Sequence, residues 1–451
     1  MAFYNRTIEL ERLRGALTRQ RKQLIVVYGR RRTGKSTLLR RLLSENDVYF
    51  QASQTTQAYQ MERFVEVISG RLPGLRDARF ARWSQLFAAV NAQTRERFTL
   101  VLDELPYLVK SAPELPSELQ RLVDERDQLN FDLIVCGSSQ QMMRGMVLAA
   151  TEPLYGRADE VLKIQPLQAG WLQTHLPEQS AVDLVIEFAT WGGIPRYWEL
   201  RKDYTNYDAA VRQLVLSPSG VLHEEPNRLL LEDMRDIVQA ATILALVATG
   251  VHKLSELGAR LQKPATDLSR PLSRLIEMGY LQRETPYGAK ATNKKQSLYK
   301  LADPFLRFHY HYVYPNLSDL IPTRVDVIWK IIGAKLSAFV SEPWEDLCRA
   351  YIGHAEPFAE TYRYPARWWG KGNNGQPIEI DLVTESFDRK VLLVGECKWS
   401  VVTDAERIRA KLIRKTMELP FYKGQQIEAL VFSREGDGTI TPQTVLAALR
   451  D

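Results

Sequence analysis

The run Leu24-Ile25-Val26-Val27-Tyr28, then Gly29-Arg30-Arg31-Arg32-Thr33-Gly34-Lys35-Ser36, then Thr37-Leu38-Leu39-Arg40-Arg41-Leu42-Leu43, restricts this chain more than any other stretch. A short apolar run reads as a buried strand, two glycines bracket a loop, and leucines at helical spacing follow. That is the strand, loop, helix order of a phosphate-binding P-loop. Gly29 and Gly34 allow backbone shapes closed to other residues, so the N–H groups of Arg30, Arg31, Arg32 and Thr33 can face a phosphate. The helix start adds its positive end. Lys35 then supplies an ammonium for the β- and γ-phosphates of ATP, Ser36 a hydroxyl for Mg²⁺, and Thr37 closes the nucleotide-binding segment.

At 451 residues the chain exceeds one ordinary core, and about three domains are expected. The 60 basic and 54 acidic residues leave +6, which is compatible with a nucleic-acid partner without requiring one. Cys136, Cys348 and Cys397 are far apart, so neither a disulfide framework nor a zinc site is suggested, and a reducing cytoplasm fits. The first residues lack a signal-peptide layout and no apolar run reaches membrane-spanning length, so no membrane role is expected.

Downstream, Asp47–Phe50 reads as a second strand, and helical stretches are expected around 58–68 and 80–93. Phe98-Thr99-Leu100-Val101-Leu102 is a buried strand ending in Asp103-Glu104, and ligands collect at the carboxyl ends of parallel strands. Asp103 is placed to hold Mg²⁺ through its water shell, and Glu104 to accept a proton from the attacking water. The strand 131–137 ends in Ser138-Ser139, either of which can hydrogen-bond that water or the γ-phosphate. Arg157, before the strand 160–164, is a candidate for reaching a γ-phosphate in its own or a neighbouring subunit, so an oligomer is a possible working form. Trp191-Gly192-Gly193-Ile194-Pro195-Arg196-Tyr197 breaks a helical segment, either as a lid loop whose Pro195 touches the base or as a plain helix break.

These motifs, together with Leu154-Tyr155-Gly156-Arg157, resemble the archaeal-type prokaryotic ATPases related to the AAA and STAND groups. The resemblance covers roughly the first 200 residues and implies an ATPase core at 1–165 with a small helical lid at 166–232.

Helices near 236–249, 254–261 (with Ser255 as cap) and 266–278, followed by a hairpin, make a winged helix, which with the aromatic-rich linker helix after it covers 233–315. Arg270 and Arg274 on its third helix, with Lys290, Lys294 and Lys295 on the wing, are candidate DNA-phosphate contacts. Beyond 316, a turn at 370–375 precedes strands 377–384 and 390–399. Alternation puts Asp381 on one strand, and Glu396 and Lys398 on one face of the next. Asp381 and Glu396, with Glu345 from the preceding helix, are candidate Mg²⁺ ligands, and Lys398 a candidate for orienting water. This arrangement resembles the PD-(D/E)xK fold of restriction endonucleases, with Ile380 where the family's proline stands, and it implies a nuclease-like domain over 316–451. The expected architecture is α/β: a P-loop NTPase sheet of the ASCE or AAA-like kind with a helical lid, a winged helix, then a restriction-endonuclease-like α/β domain. Three functions follow: ATP-dependent DNA processing or defence, a STAND-like nucleotide switch, or an ATP-binding scaffold that grips nucleic acid without cutting it.

Overall fold

A computed structural model describes residues 5–148, 152–234, 236–289 and 296–450, so Lys290, Lys294 and Lys295 lie outside the described residues. Contacts divide the chain once, into a unit of residues 1–166 and a unit of residues 167–451. Among the described residues no helix is long and apolar enough to cross a membrane.

The first unit is built on five strands: β1 (Leu24–Tyr28), β2 (Val48–Gln51), β3 (Phe98–Asp103), β4 (Phe131–Gly137) and β5 (Glu160–Lys163). All pair in parallel, in the order β2-β3-β4-β1-β5. β1, β3 and β4 are buried at every position, because helices cover both faces and each alternate residue meets a different core. Leu24, Val26, Leu100 and Leu133 pack towards Phe64, Trp83 and Phe87. Ile25, Val27, Val101 and Ile134 pack towards Leu13, Leu38 and Leu39. Because β4 lies between β1 and β3, the glycine loop, Ser138-Ser139 and Asp103-Glu104 leave the sheet from three adjacent strand ends.

In the second unit, the helices Ala181–Trp191 and Pro195–Lys202 meet at the Gly192-Gly193 turn. A Cβ on Gly193 would lie 1.9 Å from the Leu167 carbonyl oxygen, so only glycine fits there. Arg201 crosses from the second helix to Glu187 on the first at 2.7 Å, with both side chains almost fully buried. Glu187 also accepts from the Trp191 indole N–H at 2.6 Å.

Three helices follow, Ile237–Ala248, Leu254–Leu261 and Ala265–Glu277, and then the antiparallel pair β6 (Leu281–Glu284) and β7 (Leu298–Leu301), all sharing one core. The second of these helices is capped at Lys253 without a side-chain bond, so Ser255 sits inside it instead of capping it. A 30-residue helix, Val325–His354, leads to a mixed sheet of β8 (Ala366–Lys371), β9 (Pro377–Glu385), β10 (Val391–Val401) and β11 (Gln426–Glu435), ordered β11-β10-β9-β8. β8, β9 and β10 form an antiparallel meander, and the helix Ala405–Met417 carries the chain over to β11, which pairs with β10 in parallel. Gly370, expected in a turn, belongs to β8, and the turn begins at Gly372.

Replacing Arg201 with methionine leaves Glu187 buried beside an apolar neighbour. We expect Arg201→Met to cost about 3–5 kcal/mol in urea unfolding; an unchanged midpoint would show that the pair adds little.

Candidate functional site

The glycine loop begins where β1 ends. Gly29 is packed so closely that a Cβ would lie 2.4 Å from the Ile164 carbonyl oxygen, and Gly34 takes the left-handed conformation (φ 88°) that starts the helix Lys35–Leu42. Lys35 is only 6% exposed, and its ammonium donates to the carbonyls of Gly29 and Arg30, both at 3.0 Å. Burial pulls its pKa below the usual lysine value, against the charges of Glu104 and Asp103. Thr33 closes the loop by donating to the Arg30 carbonyl at 2.8 Å. Arg30 is buried and Arg31 exposed, and Arg32 takes positive φ (67°).

The Ser36 hydroxyl donates to Asp103 Oδ2 at 2.7 Å, bringing together the two groups assigned to Mg²⁺. Tyr49, on β2, donates to the same carboxylate oxygen. Burial first, and then the Asp103 charge, raises the Tyr49 phenol, which keeps it a donor. Glu104 is held in the left-handed region (φ 56°), and its Oε2 accepts from the backbone N–H of Ser138 at 3.2 Å and from its hydroxyl at 3.0 Å. Ser138 is thus the serine that meets the acidic strand end, while Ser139 accepts from the Met143 N–H through its carbonyl.

Arg6 was not visible as a site residue. Its guanidinium donates to the carbonyls of Thr33 at 3.1 Å and Gln165 at 2.6 Å, and to Glu9 at 2.8 Å, so it ties the glycine loop to the segment after β5. No pattern marks an arginine ahead of an amphipathic helix for this role. Tyr49 likewise reads in the sequence only as part of a strand.

Arg157 stands elsewhere. It precedes β5, whose Glu160 is in register with Ile25 near the start of β1, and the neighbouring Asp159 bonds to Leu24. That is the sheet edge opposite the glycine loop, where Arg157 grips Asp124 at 2.7 and 3.1 Å. The expectation that it reaches a γ-phosphate in its own subunit is therefore corrected, because the sheet separates the two. Pro195 opens its helix in the second unit and is partly buried.

Nucleotide and Mg²⁺ fit this first cluster. Ser36 and Asp103 offer hard oxygens side by side, and the glycine loop, closed to any Cβ at Gly29, presents a lysine with its charge already desolvated.

Residues 3–199 match the model of an ATPase domain found predominantly in Archaea, and residues 309–410 that of archaeal and bacterial proteins of unknown function. The chain carries an archaeal-type ATPase domain. An uncharacterized protein of Methanocaldococcus jannaschii is 28% identical over 423 residues, 92% of each chain. A Walker-type ATPase of Pyrococcus abyssi superposes with a TM-score of 0.52 at 18% identity, covering 68% of this chain and 96% of that one. The ORC2 protein of Aeropyrum pernix reaches 0.45 at 16% identity over 73% and 96%.

A second cluster lies outside the ATPase domain, in the later sheet. β9 and β10 pair as far as Leu382↔Gly395, and Asp381 and Glu396 are the next residues on the two strands. Asp381 Oδ2 accepts from the Cys397 N–H at 2.8 Å. Burial raises the Asp381 pKa, Glu396 adds to the rise, and the Cys397 bond opposes it. Glu396 Oε1 holds the Lys398 ammonium at 2.6 Å, and its Oε2 holds Lys415, from the 405–417 helix, at 3.5 Å. Burial pushes Glu396 up, but the two lysines outweigh it and leave the carboxyl below its ordinary value. Nothing in the sequence connects Lys415, or its helix, to the acidic strands.

Glu345 faces this cluster from the long helix. Burial first, and the Asp381 charge second, raise its pKa to about 7, while Arg349 at 3.6 Å offsets part of the rise. Among the described residues no three His, Cys, Asp or Glu side chains lie close enough together to hold a metal ion. Glu345, Asp381 and Glu396 therefore do not form a ready metal cage in this arrangement, in which Lys398 takes one Glu396 oxygen and the Cys397 N–H one Asp381 oxygen.

Because the folded pKa of Glu345 lies above the ordinary 4.5, the folded protein binds the extra proton between that value and about pH 7. Its stabilising share is present at low pH and lost as pH rises through 7. We expect wild type to lose stability relative to Glu345→Gln between pH 5 and pH 8 in paired urea titrations; parallel losses would show that Glu345 titrates normally.

Proposed function

We propose that the protein binds and hydrolyses ATP with Mg²⁺ at the first cluster, and that this turnover serves nucleic-acid handling by the second unit. The observation that carries the ATPase reading is the convergence of a buried Lys35, the Ser36–Asp103 pair and a Ser138-held Glu104 at three adjacent ends of a parallel sheet. Bound Mg²⁺ would supply charge neutralisation for the phosphates. Lys35, released from the Gly29 and Arg30 carbonyls, moves its ammonium to the β- and γ-phosphate oxygens. The N–H groups from Arg30 to Thr37 line the phosphates, and Glu104, turned from Ser138, takes the proton of the attacking water. Arg157 is left to act on the nucleotide of a neighbouring copy.

The helices and hairpin of 237–301, read as a winged helix with Arg270 exposed on its third helix, support a DNA partner. The pairing of Asp381, Glu396 and Lys398 across two strands supports a nuclease-like fold for the later sheet. A second reading, in which this fold grips nucleic acid without cutting it, is favoured by the occupation of both Glu396 oxygens by lysines.

Lys35→Ala should abolish ATP hydrolysis, and Glu104→Gln should slow it by about 10²–10⁴-fold, the usual weight of a general base. Asp381→Ala and Lys398→Ala should leave ATP hydrolysis unchanged in a phosphate-release assay. If wild type cuts DNA with Mg²⁺ and ATP, both of these variants should lose cutting; DNA binding without cutting by any form selects the gripping reading.

A further inference from the structure

The helix Ala405–Met417 has one face with no structural task inside the fold. Ala405, Leu412 and Thr416 are its buried positions and point into the sheet. At about 100° per residue, Arg414, Arg407, Lys411 and Lys415 fall in succession within roughly one quadrant, from the outer pole to the flank. Arg407, Lys411 and Arg414 are exposed, and among the described residues none of the three is in an ion pair. The nearby acids have other positions. Asp404 is spent on the helix N-cap, accepting from the Arg407 N–H at 2.9 Å. Glu406 pairs with Arg409 on the opposite flank. Glu418 stands just past the helix and closes the stripe at that end.

A row of cations is often only a solvated face. Here the row has a direction. Its flank residue Lys415 is half-turned inward and lies 3.5 Å from Glu396 Oε2 and from the Glu379 carbonyl, while Lys398 meets the other Glu396 oxygen from β10. Two ammonium groups from different elements thus converge on one carboxylate at the end of an acid-free stripe. From Arg407 to Lys415 the helix rises about 12 Å, over which one strand of a duplex carries three to four phosphates at about 3.4 Å each.

We propose that the exposed face of the 405–417 helix is a seat for a nucleic-acid backbone, which Arg407, Lys411 and Arg414 hold by its phosphates and which Lys415 leads to the Asp381–Glu396–Lys398 cluster. The proposal rests on the nucleic-acid reading of the second unit but not on cleavage. It assigns affinity without sequence preference, because every contact is to phosphate.

The test is binding of a labelled duplex by fluorescence anisotropy across a salt series, in EDTA so that no strand is cut. The triple variant Arg407→Gln/Lys411→Gln/Arg414→Gln should bind more weakly, with a log–log salt slope shallower by about 3, and each single variant by about 1. Because EDTA prevents cutting, a protein that never cuts DNA still tests the seat. Glu406→Gln/Arg409→Gln on the opposite flank should keep the wild-type slope. Urea midpoints equal to wild type establish that the variants are folded, and the single variants serve if the triple does not fold. A wild-type slope in all of the stripe variants overturns the proposal, as does loss of binding to phosphatidylserine vesicles with duplex binding unchanged.

Discussion

An ammonium group taken out of water needs oxygen partners at once, and Lys35 finds them in the carbonyls of Gly29 and Arg30. The local structure of the glycine loop follows from keeping that charge buried. The glycine loop must curl back over its own lysine, which Gly34 allows by its left-handed backbone. Thr33 locks it from inside, and Arg6 ties its outer rim to the strand-β5 side through Gln165. The carboxylates that balance the lysine come from β3, one strand away, because β4 separates β3 from β1. At the end of β4, between the two, Ser138 donates to Glu104 from its backbone N–H and its hydroxyl.

The same logic explains which parts of the first unit were legible in the sequence. Strands buried on both faces are continuous apolar runs, so Leu24–Tyr28, Phe98–Asp103 and Phe131–Gly137 announce themselves, and the acids after β3 stand out against them. Arg6 and Tyr49 do not. Each acts on backbone or carboxylate contributed by distant residues, and neither sits in a periodic pattern that distinguishes it from a surface arginine or a strand tyrosine. Arg157 misled for a related reason. Its local motif was readable, but which end of the sheet it occupies depends on the β1–β5 register, which spacing alone does not disclose.

In the second unit, strand alternation alone places Glu396 and Lys398 on one face of β10, and there the Lys398 ammonium meets Glu396 at 2.6 Å. β8 and β11 went unread. The Ala366-Arg367-Trp368-Trp369 run has no clean alternation, and much of β11 is only partly buried. Nor could the sequence show the ion network on the long helix. Asp346 holds Arg349 at 2.6 Å and Arg307 at 3.0 Å, while Lys300 of β7 joins Glu284 of β6 at 3.1 Å to Glu342 at 3.2 Å. Those groups are spread over dozens of residues and look like ordinary surface charges until the fold buries them.

That network bears on the acid cluster directly. Arg349 donates to the backbone carbonyl of Asp381 at 2.7 Å, so the strand position that carries the acid is pinned by a guanidinium whose charge is held by Asp346, and beyond it by Glu284 of the hairpin. Burial works against Arg349, and the surrounding carboxylates more than compensate, so the cation is retained. Glu345, one residue from Asp346 on the same helix, receives less of this support and sits beside the Asp381 charge instead. Neighbouring acids on one helix are thereby driven apart: Asp346 is held down to about 2 as a permanent anchor, and Glu345 is raised to about 7. A displacement of the β6–β7 hairpin would disturb Glu284 and Lys300 first, then Arg349, and through it both the position of Asp381 and the charge on Glu345. The hairpin therefore has a continuous chain of charged contacts to the acid cluster, made entirely within the second unit.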